Sequence, residues 1–306
     1  MTYIWVFTGL IVLFFLWSFL EQKFITTSKY KINLQGKDKL NLSFVVLADV
    51  HNKRFGKNNR RLMKKILEHK PDFVIIAGDL ITKRRACYPG NGYDLMKEIS
   101  ERYPVYYAYG NHEQAFEDLA YSKDTEAYKQ NIALYESWNL YKEKLKQLGV
   151  YLLDNKSIIL HYKDSKLTIT GLSLSQKFYG KGKPLKLEQK EIIENIGTRN
   201  KEGHTILIAH NPVYFKKYVE WGADLILSGH VHGGLVRIPF IGGVISPQMK
   251  LFPKYDAGLL CEDNKRMVIS RGLGGHSFMP RFLNMPELVL IELKSEEGAF
   301  ENEYSG

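Results

Sequence analysis

The chain has 306 residues, of which 44% are hydrophobic and 25% charged, with a net charge of +10. That length buries a substantial core, and the ordinary composition excludes a disordered or low-complexity chain. Two cysteines far apart, Cys87 and Cys261, exclude a disulfide framework and a C-x-x-C zinc site. The basic balance suits anionic partners: phosphate esters, nucleic acid or acidic lipid.

Tyr3–Leu20 is an apolar run long enough to cross a bilayer as a helix, with Trp5 and Trp17 toward its ends. No charged side chain precedes it, and Ser18-Phe19-Leu20-Glu21-Gln22-Lys23 is a poor cleavage site. Residues 1–22 therefore read as an uncleaved, single-pass transmembrane anchor rather than a signal peptide. Lys23, Lys29, Lys31, Lys37 and Lys39 follow it, and the positive-inside bias places the remaining domain in the cytoplasm. Residues 23–42 are polar and read as a linker or an edge segment. Residues 43–306 then form one domain.

Within that domain buried strands alternate with helical segments. Strands are expected at Ser43–Ala48, Asp72–Gly78 and Val105–Gly110, with a helix over Lys57–His69 between the first two. Gln114–Gln147 reads as one long, mostly helical stretch. Its aromatics (Phe116, Tyr121, Tyr128, Tyr135, Trp138, Tyr141) suit either a packed core or a cap leaning over a site or a bilayer. Further strands fall at Val150–Leu153, Ser157–His161, Leu167–Thr170, His204–Ala209 and Asp224–Ser228, with a short helix at Glu188–Ile196. The chain closes on strands near Gly258–Leu260, Met267–Ser270 and Leu288–Leu293. Alternating strands and helices argue for an α/β layered core, and the strand-rich later third for a second sheet packed on the first.

Five of the buried strands end in polar clusters: "LADVHN", "AGDL", "YGNHE", "IAHNP" and "SGHVHGG". Each alone is weak; Gly-Asp is a common turn, and a histidine pair two apart decides little. Together they carry five of the nine histidines, and ligands of open α/β sheets bind beyond the carboxyl ends of the strands. This points to a metal site. Seven candidate ligands follow: Asp49, His51, Asp79, Asn111, His210, His230 and His232. Imidazole, carboxylate and carboxamide without thiolate suit Mn²⁺, Fe or Zn²⁺, with Mn²⁺ favoured. Seven ligands exceed one tetrahedral ion and match two ions bridged by a carboxylate.

The series D-x-H, G-D, G-N-H-E, H and G-H-x-H resembles the calcineurin-like metallophosphoesterases, from about Ser43 to Leu293. "AHNP" and the closing "GLGGHSFMPRFLNMPEL" look most like a membrane-associated bacterial subgroup of UDP-2,3-diacylglucosamine pyrophosphatase-like enzymes and phosphodiesterases. The resemblance implies a four-layer αββα sandwich and a phosphohydrolase that attacks through a metal-bridging hydroxide. It implies Asp49, His51 and His232 on the first ion, Asn111, His210 and His230 on the second, and Asp79 between them. His112 would act on the leaving-group side as general acid or electrostatic stabiliser. Protein phosphatases carry G-D-x-x-D-R-G; here Thr82 replaces the second Asp, which disfavours a Ser/Thr phosphatase and leaves Glu113 as the guess for what orients His112. Leu235 is a smaller departure, since relatives often carry a glutamine at that position.

Specificity is expected on the rim. "VRIPFIGGVISPQMKLFP" (residues 236–253) is apolar for a loop and suits a lipid tail or membrane surface, or else a buried hairpin of the second sheet. Arg237, Arg271 and Arg281 are candidate phosphate contacts. The expected substrate is a phospholipid or lipid-linked phosphodiester or pyrophosphate at the membrane; the alternative is a small soluble ester or nucleotide. A non-catalytic scaffold is disfavoured because every ligand is present. A nuclease is disfavoured by the anchor and by the lack of an aromatic–basic platform.

Overall fold

Runs of Val, Ile and Leu become central strands because both of their faces are covered. The computed structural model describes residues 2–296 apart from 37–38, 84, 121–124, 163–164, 181, 183, 235, 239–240, 246–250 and 276–279. In chain order the helices are α1 (Thr2–Glu21), α2 (Arg60–His69), α3 (Asn91–Ser100), α4 (Asn111–Ala120), α5 (Glu126–Gln147), α6 (Gln189–Ile196) and α7 (Phe215–Trp221). The first seven strands are β1 (Thr26–Gln35), β2 (Leu40–Leu47), β3 (Phe73–Ala77), β4 (Val105–Ala108), β5 (Tyr151–Leu152), β6 (Lys156–Tyr162) and β7 (Ser165–Leu172). The later strands are β8 (His204–Ala209), β9 (Leu225–Ser228), β10 (Val236–Ile238), β11 (Gly242–Ile245), β12 (Gly258–Glu262), β13 (Lys265–Ile269) and β14 (Glu287–Glu296).

Two six-stranded sheets face each other, ordered β1-β14-β2-β3-β4-β5 and β12-β13-β9-β8-β7-β6. Phe44, Phe73, Ile75, Ile206, Leu225 and Val289 belong to the apolar layer between them. A second layer seals α2, α3, α4 and α5 against the first sheet through Leu62, Leu95, Phe116 and Trp138. A third seals α6 and α7 against the second sheet through Ile192, Phe215, Tyr218 and Ile226. The order is therefore helix, sheet, sheet, helix. Both cysteines are free, Cys87 buried and Cys261 exposed.

Several expectations change. Of the two readings of residues 23–42, linker or edge segment, the structure shows the second: Thr26–Gln35 form edge strand β1, parallel to β14. The alternation of Lys31, Ile32, Asn33 and Leu34 explains it, because Ile32 and Leu34 are buried while their neighbours face water. Gln114–Gln147 is two helices, and three of its aromatics pack into the core: Phe116 stacks on Trp138, and Trp138 and Tyr141 are fully buried. Tyr121, Lys37, Leu235 and His276 lie outside the described residues. Val236–Ile245 forms its own hairpin, β10–β11, rather than part of the second sheet. Helix α1 is apolar (mean hydropathy 2.2 over its span) and, by length and composition, long enough to cross a membrane.

Candidate metal centre

Asp49 and His51 follow β2, Asp79 follows β3, and Asn111 and His112 open α4 just after β4. His210 follows β8, and His230 and His232 follow β9. Strands β2, β3 and β4 are parallel neighbours in one sheet, and β8 and β9 in the other. Their carboxyl ends meet at one rim, where all eight side chains gather.

Reaching that rim bends the backbone. Asp49, His51, Asp79, His230 and His232 all have φ between 50° and 71°. Each such turn costs an L residue about 1–2 kcal/mol. Cross-ties between strand ends hold it. Asp49 N–H donates to Gly78 O (3.1 Å) and His51 N–H to Asp79 O (3.0 Å). His230 N–H donates to the Asp49 carboxylate (3.1 Å), and His112 N–H to Asp79 Oδ1 (2.8 Å). Gly229 allows this approach: a Cβ there would lie 2.5 Å from Asp49 Oδ2.

Glu113 does not orient His112. Its Oε2 accepts from Asp79 N–H (2.9 Å) and Gly110 N–H (2.8 Å), and its Oε1 from Ile81 N–H (3.2 Å) and Tyr107 O–H (2.7 Å). It latches the Gly-Asp turn to α4. His112 is held instead by Lys83, whose backbone N–H donates to Nδ1 at 3.0 Å. That bond leaves Nε2 as the protonated nitrogen of the neutral ring.

Three groups of His and Asp could each hold a cation: Asp49–His51–His232, His51–Asp79–His112 and Asp79–His210–His230. His232 Nε2 lies 3.4 Å from Asp49 Oδ1 and 3.3 Å from His51 Nε2. Asp79 Oδ2 lies 3.2 Å from His210 Nε2, 3.8 Å from His51 Nε2 and 3.9 Å from His112 Nε2. Asn111 Oδ1 lies 2.8 Å from His230 Nδ1. Donors bound to one cation at about 2.1 Å stand about 3.0–3.4 Å apart, so this spacing fits divalent metal. His210 gives the clearest test. Its Nδ1 donates to Ala77 O (2.7 Å), so its Nε2 lone pair, without a hydrogen bond, faces Asp79 and Asp49 oxygens at 3.2 and 3.7 Å. Only a proton or a cation on Nε2 makes that arrangement attractive.

The charges follow. Burial pushes Asp49 up to about 7, and Asp79 adds to the rise. Burial would also raise Asp79, but the imidazoles of His210, His112 and His51 hold it well below the carboxylate range. Burial would lower His210, yet Asp79 and Asp49 lift it to about 10.

Of the arginines, Arg237 pairs with Asp256 (2.8 Å) and Arg271 with Glu287 (3.0 Å), so both are engaged in holding loops. Arg281 is buried; it donates to Gly272 O (3.2 Å) and Gly274 O, and its Nη2 lies 3.3 Å from His232 Nδ1. Three neighbours escaped sequence reasoning. Tyr179 sets its ring edge-on to His230 at 5.0 Å, and Gln176 Nε2 donates to Asn111 O. Both lie beyond the end of β7, which flanks β8, so strand adjacency was the signal that would have found them. Lys53 Nζ is buried without a hydrogen-bond partner among the described residues, 5.1 Å over the Phe55 ring. Burial, Arg281 and Arg61 lower it to about 7.

The calcineurin-like phosphoesterase profile matches residues 42–234, which include every strand end just described. The chain is 25% identical to the Bacillus subtilis metallophosphoesterase YkuE over 236 residues, 75% of this chain and 70% of that protein. It is 23% identical to the Escherichia coli phosphodiesterase YaeI, over 74% of this chain and 72% of YaeI. An Aquifex aeolicus metallophosphoesterase is 24% identical over 92% of this chain and 96% of its own length. Among solved structures, the Mycobacterium tuberculosis phosphopantetheinyl hydrolase aligns over 74% of this chain and 88% of its own, at 13% identity and a TM-score of 0.42. The chain belongs to the calcineurin-like phosphoesterase family and is a metal-dependent phosphoester hydrolase.

Proposed function

We propose that this protein cleaves a phosphodiester or pyrophosphate bond with two divalent cations, on a phospholipid or lipid-linked substrate at a membrane. Asp49, His51 and His232 would hold one cation and Asn111, His210 and His230 the other, with Asp79 within reach of both. One observation carries this reading: Asp79 Oδ2 stands 3.2 Å from His210 Nε2 and 3.8 Å from His51 Nε2, between the two ligand groups. When bound, the two cations supply Lewis-acid neutralisation of the phosphoryl oxygens and an activated water. Mn²⁺ is the favoured metal; the imidazole, carboxylate and carboxamide donors suit Fe or Zn²⁺ as well.

The chain's own residues do the rest. Glu113 fixes the turn that aims Asp79. Lys83 fixes the ring of His112, whose Nε2–H donates to the leaving oxygen. Support for a diester comes from the name of the YaeI relative. Support for the membrane comes from α1, read as a single-pass span with the enzyme domain on the cytoplasmic side, and from exposed Ile238, Ile241, Leu251 and Phe252 beside the site.

The test is hydrolysis of bis-p-nitrophenyl phosphate with Mn²⁺, followed by phosphate or nucleotide release from a panel of lipids with the full-length protein. Equal inertness of wild type and Asp79→Asn, both metal-loaded, would overturn the reaction. Preference for soluble esters over every lipid would overturn the substrate class and favour a small soluble diester.

A further inference from the structure

The last turns of α1 are keyed into the loop behind the metal centre. Phe14 stacks on Phe282, ring centroids 5.0 Å apart and planes 26° apart. Arg281 N–H donates to Ser18 Oγ at 2.9 Å. Leu283 N–H (2.9 Å) and Trp17 Nε1–H (3.0 Å) both donate to Glu21 Oε2. Ser18 and Glu21 are buried in this junction, although most of α1 is exposed.

The same loop braces the metal centre. Asn284 Nδ2 donates to His232 O (2.8 Å) and Gly234 O (2.6 Å), and Arg281 lies against the His232 ring. It also carries the hairpin: Val236 bridges to Phe282, Arg237 N–H donates to Phe282 O (3.0 Å), and Leu251 bridges to Ile245. Hairpin, residues 251–252 and loop 281–285 thus form one small platform beside α1. It exposes Ile238, Ile241, Leu251, Phe252, Leu283 and Met285. Other exposed large apolar side chains outside α1, such as Ile159 and Ile193, stand on β6 and α6.

We propose that this platform is a bilayer-contact surface: its apolar side chains seat in the lipid interface beside α1 and hold the metal centre at the membrane surface. The proposal rests on reading α1 as a membrane span. Its occupant follows from length. The 20 residues of α1 rise about 30 Å, the thickness of the hydrocarbon layer, with none to spare. Phe14, the partner of Phe282, lies about 10 Å along the helix from Glu21. A spanning α1 therefore carries Phe282 and its platform down into the leaflet. Lys23, with Nζ 4.1 Å over the Phe19 ring, places a cation at the headgroup end of the same junction. An apolar patch of this kind costs free energy in water and gains it in lipid.

The experiment uses the full-length protein in vesicles of phosphatidylethanolamine and phosphatidylglycerol. A Cys261→Ser background carries single bimane reporters at Ile241→Cys, Phe252→Cys, Leu13→Cys on α1 and Ile193→Cys on α6; Cys87 is buried. Lipids with doxyl groups on their acyl chains are the quenchers. The expected result is loss of emission at 241 and 252 approaching that at 13, with none at 193. Quenching at 13 alone would overturn the platform while leaving the span intact. No quenching at 13 would remove the span and the proposal together.

Discussion

The backbone N–H of Lys83 donates to Nδ1 of His112 at 3.0 Å, so one main-chain bond fixes the tautomer of the histidine proposed to act on the leaving group. A neutral imidazole held in this way offers its Nε2–H as a hydrogen-bond donor, and that stabilisation counts most when the leaving oxygen is a poor one. His112→Gln is expected to lower kcat about 10²–10³-fold on an alkyl phosphodiester and far less on bis-p-nitrophenyl phosphate. Steady-state kinetics on the two esters checks it; equal losses on both would assign His112 to metal binding instead.

Each histidine of Gly229-His230-Val231-His232 faces a different ligand group, His230 beside Asn111 and His232 beside Asp49 and His51. Wild type is expected to hold two metals per chain. His230→Ala and His232→Ala are each expected to lose one, and Asp79→Ala to weaken both. Elemental analysis after dialysis reads this directly.

Metal affinity is expected to rise with pH. Asp79 and Asp49, working against burial, keep a proton on His210 up to about pH 10, and burial keeps one on Asp49 up to about 7. A cation must displace these protons, so binding releases them and strengthens as pH rises from 6 to 8. Titration calorimetry in buffers of different ionisation enthalpy measures the release. A pH-independent affinity would mean that the cations bind elsewhere.

Glu113 accepts four hydrogen bonds in a fully buried site. Glu113→Gln turns an amide N–H₂ against the pair of donors at one of the two oxygens. A loss of about 2–4 kcal/mol of stability is expected, with a visible fall in Tm. Activity should fall as well, because the Asp79 turn loosens. An unchanged melting curve would mean that the latch contributes nothing.

Most of the layered fold was legible in the chain. Strands covered on both faces announce themselves as runs such as Phe73–Ala77 and His204–Ala209, whatever lies around them. Edge strand β1 was legible only as one of two readings, and the short helices α3 and α7 were not legible. They are short or apolar on one face only, and only packing against β14, α5 and the second sheet makes them worth ordering.

The eight site residues were legible for a related reason. A polar cluster after each buried strand is a one-dimensional signal, and parallel topology sends those ends to one rim. The sequence alone thus determined which residues gather there and that their donor types suit divalent metal. Tertiary structure alone decided how they are held. Lys83, Tyr179 and Gln176 carry no motif and act through a main-chain amide, a ring edge and a side-chain amide that strand adjacency delivers. The joining of α1 to Arg281 and Leu283 is of the same kind, made between residues more than 260 positions apart. Local pattern reports burial and chemistry; contacts between distant segments depend on chain geometry, which no local pattern encodes.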